Sequence, residues 1–97
     1  MRRSITLFGK KIKIKRLDLR PQGLCGYFDY NKREIYLCKT LKGDVLMHTL
    51  IHELGHAMIF VLGINQTSLS HDLEEILVEN FATMMMELYT MKQKTLS

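Results

Sequence analysis

Lys11-Ile12-Lys13-Ile14-Lys15 alternates charged and β-branched apolar side chains with a period of two, the pattern of a strand with one face buried. Pro21-Gln22-Gly23 marks a turn. Leu24 to Phe28 and Glu34 to Cys38 then read as two short strands around the polar turn Asp29-Tyr30-Asn31-Lys32. Residues 5–39 are therefore expected to form a small antiparallel sheet of about three strands.

From Asp44 the period changes. Val45, Leu46, Leu50, Ile51, Leu54, Met58, Ile59, Val61 and Leu62 recur at helical spacing and cover much of the circumference, which predicts a buried helix over 44–62. Asp44 is the expected N-cap and Gly63 the C′ stop. A polar loop at 65–69 leads to a second helix over 70–91. Ser70 caps it, and Asp72, Glu74 and Glu75 suit the positive end of its dipole. Leu73, Ile76, Leu77, Phe81, Met84, Met85 and Leu88 are its expected core stripe, and residues 92–97 a loose tail. The whole is one α+β domain over 1–97, a sheet packed on two main helices.

Composition narrows the class. The 97 residues are 46% hydrophobic and 25% charged, as in an ordinary globular domain. No run approaches the roughly 18 apolar residues of a membrane span, and charge interrupts the N-terminal segment before a secretory core can form. A cytoplasmic protein with no membrane partner is expected. Cys25 and Cys38 lack a CxxC spacing and are too few for a disulfide framework. A turn centred on Asn31-Lys32 would set them opposite each other as reduced, buried thiols. The net charge of +4 owes much to Arg2, Arg3, Lys10, Lys11, Lys13, Lys15 and Arg16. Alternating lysines describe a solvated, aggregation-resistant strand face more simply than a nucleic-acid patch.

The candidate chemistry lies in His52-Glu53-Leu54-Gly55-His56. Residues four apart on a helix have Cβ atoms roughly 5–6 Å apart, close enough for both imidazoles to bind one zinc ion. Glu53 projects at an angle to the pair, suited to act as general base on a water. This is the HExxH arrangement of zinc metalloproteases. His48 shares the stripe and is read as a hydrogen-bonded helix histidine. A third ligand is needed, and the metzincin extension with its later His is absent. Glu75 and Glu79, one turn apart beside Ala82 and Met86, border the face that meets the first helix. Glu74, about 100° away, is expected in solvent. Periodicity does not rank Glu75 against Glu79.

The stretch Thr49 to Met58, followed by Glu75 to Ala82, resembles the gluzincin-type metallopeptidases of the ImmA/IrrE group, especially small phage and prophage members. The resemblance covers about residues 24–86. It implies a minimal zincin-like fold with one zinc ion, with His52, His56 and Glu75 as ligands and Glu53 as catalytic base. Glu79 then orients a ligand histidine. Many relatives have Asn at the position of Glu79, so Glu79 stays an alternative ligand. His71, Tyr36 and Tyr89 are candidates to donate to an oxyanion or touch substrate. A protein or peptide substrate is expected along strand 34–38 by strand addition. Two other functions compete: a non-catalytic module stapled by zinc, and a basic nucleic-acid-associated protein of a mobile element. Oligomeric state has no sequence signal.

Overall fold

The computed structural model describes residues 4–63 and 69–96, with side chains through Met91. Its elements run β1 (Ser4–Leu7), β2 (Lys10–Leu17), a 3-10 turn (Arg20–Gln22), β3 (Gly26–Asp29), β4 (Glu34–Cys38), α1 (Gly43–Val61) and α2 (His71–Leu96). The α+β class is as the periodicity predicts. The polar loop expected at 65–69 falls, except for Leu69, outside the described residues.

The sheet is larger than expected and mixed. Ile5 and Leu7 belong to a separate strand, β1, that pairs antiparallel with β2. Phe8 and Gly9 turn between them, both at positive φ (49° and 81°), as two-residue hairpins require. On β2, Ile12 and Ile14 are buried while Lys11, Lys13 and Lys15 are exposed. The chain then crosses to the far side of the sheet, where β3 forms the edge. It returns through β4, which inserts between β3 and β2 and runs parallel to β2, giving the order β1-β2-β4-β3.

The strand expected to take up substrate is not an edge. Strand 34–38 is interior, and all five of its residues are buried. Ile35 and Leu37 join Ile12, Ile14, Phe28 and Ala57 in the main core, while Tyr36 and Cys38 pack with Leu19 on the other face. The edge strands are β1 and β3, and β3 is the one that packs against α1. A run such as Glu34-Ile35-Tyr36-Leu37-Cys38, without polar alternation, is what burial on both faces demands. The hairpin register itself is as expected: Gly26 pairs with Leu37 and Asp29 with Glu34, and the Cys38 amide donates to the Cys25 carbonyl at 2.7 Å. Asp29 Oδ1 accepts from the Asn31 and Lys32 amides, holding the turn. Both thiols are free, and only Cys38 is buried.

Helix α1 lies across β3, β4 and α2. It starts one residue before Asp44, after Lys42, without a side-chain cap, so Asp44 acts on the dipole instead. It ends as predicted at Gly63 (φ 74°). Ser70 caps α2, its Oγ accepting from the Leu73 amide at 3.1 Å. The helix continues to Leu96 through Lys92-Gln93-Lys94-Thr95, which holds no Gly or Pro to stop it, so the expected loose tail is helical.

The rotation of α2 about its axis also differs from expectation. Glu74, Val78 and Ala82 form its buried stripe, whereas Leu73, Ile76, Leu77, Met84, Met85 and Leu88 are exposed. The cause is the close approach of α1 at Gly55. A Cβ there would lie 3.0 Å from Val78 Cγ1, so Val78 seats directly on the glycine and sets the helix rotation. Among the described residues, no helix is long and apolar enough to cross a membrane.

Candidate metal centre

The middle of α1 brings the two motif histidines together, with ring centroids 5.0 Å apart. The facing turns of α2 supply three carboxylates. Glu75 reaches between the rings: its Oε1 is 3.0 Å from His56 Nε2, and its Oε2 is 3.7 Å from His52 Nε2. One donor atom each from His52, His56 and Glu75 lie within 4.8 Å of one another. Tetrahedral zinc with bonds of about 2.0–2.2 Å sets its ligands roughly 3.3 Å apart. Small side-chain rotations suffice to close the group on one ion, and two imidazoles with one carboxylate are a chemically suitable donor set.

The other nitrogen of each ring is also engaged. His52 Nδ1 lies 2.9 Å from Glu79 Oε1, and His56 Nδ1 lies 2.6 Å from Glu74 Oε2. A carboxylate only accepts, so each ring can donate from Nδ1, and His56 Nε2, 3.0 Å from Glu75 Oε1, then needs a second proton or a cation between the two atoms. Glu79 also approaches His48 Nε2 at 3.6 Å. Glu75 and Glu79 thus occupy different places: Glu75 faces the Nε2 atoms, and Glu79 backs a ring.

Glu74 overturns the expectation of a solvated side chain. It is 4% exposed, because Val78 on Gly55 turns this edge of α2 inward. Its partners are His56 and the Tyr30 hydroxyl, which donates to Oε2 at 3.4 Å. Glu74-Val78-Ala82 at spacings of four was the signal available in the chain, but the richer Leu/Met stripe beside it dominated the periodicity.

Glu53 is buried beside this cluster. Burial pushes its carboxyl up to about 7; the neighbouring His52 opposes that shift, and the negative charge of Glu75 adds to it. With Gly26, Phe28, Tyr30, His52, His56 and Glu75 it lines a pocket of about 300 Å³. One wall of that pocket is the free edge strand β3.

The three candidate donors to an oxyanion fare differently. Tyr36 lies on the opposite face of the sheet from the pocket, stacked on Tyr27 and donating to Glu34. Tyr89 lies on an exposed part of α2, fourteen residues and about 21 Å along the helix from Glu75. Neither is brought to the cluster. His71 is exposed at the start of α2 and is not among the pocket-lining residues. Tyr30, in the turn between β3 and β4, reaches the pocket instead. Its ring is held edge-on between Phe28 and Phe60, at centroid distances of 5.1 and 5.3 Å. Burial, then Glu74, raises its pKa, so the phenol keeps its proton and remains a donor.

Fold and cluster together define an α+β domain with a histidine–carboxylate centre beside a free strand edge. Comparison with protein-family models, curated proteins and solved structures gives no match to this chain.

Proposed function

We propose that the protein is a zinc-dependent metallopeptidase of the small ImmA/IrrE type that its motifs resemble. The observation that carries this reading is the paired orientation of His52 and His56. Both Nε2 atoms face Glu75, while separate carboxylates hold the two Nδ1 atoms. A merely structural ion pair has no need of that division.

His52, His56 and Glu75 would hold one zinc ion. When bound, the ion supplies Lewis acidity, lowering the pKa of a water toward about 7 and polarising a carbonyl. Glu53 accepts the proton from the attacking water as its oxygen bonds to the peptide carbonyl carbon. It then delivers that proton to the amine nitrogen as the C–N bond breaks. A carboxyl poised near neutrality suits both transfers. Tyr30, which lines the pocket, supplies a hydroxyl donor for charge developing there. An extended peptide adds to the outer edge of β3, replacing strand 34–38 in that role.

The test is metal analysis together with Glu53→Gln. Purified protein should contain about one zinc per chain, and Glu53→Gln should retain it while losing peptide cleavage. Protein that neither carries zinc nor gains stability from it would remove the proposal. Equal cleavage by wild type and variant would remove Glu53 from its role.

A further inference from the structure

The fold separates the protein's charges. Among the described side chains, residues 4–42 carry ten Lys and Arg against three acids, a balance of +7, whereas residues 43–91 carry seven Asp and Glu and no Lys or Arg, a balance of −7. The sheet is a cationic layer. Helix α1 packs on one of its faces, against β3 and β4, and α2 packs on α1. Lys11, Lys13 and Lys15 project to the other face, opposite the buried Ile12 and Ile14. Leu19 and Leu41 lie over the Cys38 end of that face. The carboxylates of the layer are engaged: Asp18 pairs with Arg20, Asp29 accepts from two turn amides, and Glu34 takes Lys15 and the Tyr36 hydroxyl. Lys10, Lys11, Lys13, Lys32 and Arg33 are all exposed. Among the described residues, none of these five is in an ion pair. They gather at one end of the sheet because β2 and β4 are parallel. The Lys13 amide donates to the Arg33 carbonyl at 3.3 Å, which sets the Lys32-Arg33 turn beside the start of β2. Farther along, the exposed Tyr27 stacks on Tyr36 with ring centroids 4.7 Å apart, in line with Lys15.

We propose that this outer face binds single-stranded nucleic acid, its phosphates meeting the five unpaired cations and a base stacking on Tyr27. The alternation in β2 alone fits a solvated strand. The structure adds a second basic segment at the same end, from the β3–β4 turn, and an aromatic pair on the same face. Charge complementarity selects a polyanion, because the cations are concentrated here while the chain's remaining acids lie on the helices. Lysines two apart on a strand stand about 6.8 Å from each other, a pitch that can follow successive phosphates of an extended strand. Phosphate contacts give affinity through counterion release, and an exposed ring gives a sequence-tolerant hold on a base. The ring also selects a single strand over a duplex, whose bases are closed within their stack. A lipid surface fits less well. The β1 neighbours of Lys11 and Lys13 are Thr6 and Ser4, so the cluster stands beside a single exposed ring at Phe8 and not beside an apolar face that inserts between lipids.

Fluorescence anisotropy of a labelled, mixed-sequence single strand of about 12 nucleotides tests this on the full chain. With each of the five cations on a phosphate, the logarithm of affinity should fall against the logarithm of salt with a slope of about −3.5. The double variant Lys11→Gln, Lys13→Gln should bind about 10-fold more weakly and reduce that slope by about 1.4. Lys92→Gln with Lys94→Gln removes the same charge from α2 and should change affinity by about twofold at most. Tyr27→Leu should weaken binding about 10-fold at every salt concentration, and Tyr27→Phe should restore it. Circular dichroism should be unchanged throughout. A wild type that fails to bind at low salt overturns the proposal. Equal losses from the two lysine pairs would reduce the effect to net charge and overturn it too. So would a Tyr27→Leu variant that binds as wild type does, or a duplex of the same sequence bound more tightly than the single strand. Capture by anionic vesicles in place of the oligonucleotide would assign the face to a membrane instead. None of these outcomes depends on zinc or on peptide cleavage.

Discussion

His56 Nδ1 and Glu74 Oε2 are 2.6 Å apart, and both side chains are buried. The pair joins the turn of α1 that carries the second motif histidine to the first turns of α2. Through Tyr30, it also joins the β3–β4 hairpin. Its chemical effect is to select the imidazole tautomer whose free lone pair is on Nε2. Glu74→Ala is therefore expected to lower zinc affinity by about 10–100-fold while leaving an ordered fold. Competition with a chromophoric chelator reads this. An affinity equal to wild type would show that the His56 ring needs no such support.

The two other carboxylates should separate by the same assay. Glu75→Ala removes the group facing both Nε2 atoms and should nearly abolish zinc binding. Glu79→Ala frees only His52 Nδ1 and should cost about 10–100-fold. The opposite order would mean that Glu79 swings in to ligate, displacing Glu75.

Gly55 permits the approach that sets all three carboxylates. Gly55→Ala gains about 1 kcal/mol in helix propensity, but its methyl meets Val78 Cγ1 at 3.0 Å. Val78 is β-branched and almost fully buried, so it cannot easily turn aside. Overpacking costs of about 1–3 kcal/mol should win, lowering the melting temperature and the zinc affinity together. In a Val78→Ala background the same substitution should become neutral or stabilising, a coupling that a double-mutant cycle measures. Additive losses would locate the strain elsewhere.

The sheet's outer face predicts a pH dependence independent of the metal centre. The Tyr36 hydroxyl, then Lys15 at 3.2 Å, holds the Glu34 carboxyl below the usual glutamate range. A depressed carboxyl stabilises the fold above its unfolded pKa and loses that contribution as pH falls through the folded value. Tyr36, bonded to Glu34 and buried, is pushed up to about 12. Its contribution is complete below the unfolded tyrosine pKa of about 10 and is lost as pH rises toward 12. Thermal melts should show Glu34→Gln less stable than wild type at neutral pH, with the gap closing below about pH 4. A gap that widens in acid would reverse the sign and refute the assignment.

Local chemistry in the chain already determined the paired imidazoles four residues apart, the β3–β4 register, the Ser70 cap and the stop at Gly63. Each depends on residues close in sequence, whose backbone geometry is set by hydrogen bonds and torsional preference within a few positions. The α+β class follows from the same periodicities. What tertiary structure decided was every choice between neighbours that are alike locally. Glu74, Glu75 and Glu79 are equivalent helix residues until Val78 seats on Gly55 and rotates α2, giving each carboxylate a different ring atom. Strand 34–38 carries a run suited to burial on both faces, but its place inside the sheet is fixed only when β2 pairs with it and leaves β3 at the margin. The Leu/Met stripe of α2, the strongest apolar signal in that helix, faces outward for the same reason. Close approach favoured the small and branched residues at Gly55, Val78 and Ala82, and steric fit between helices is not encoded in the hydrophobicity of either one.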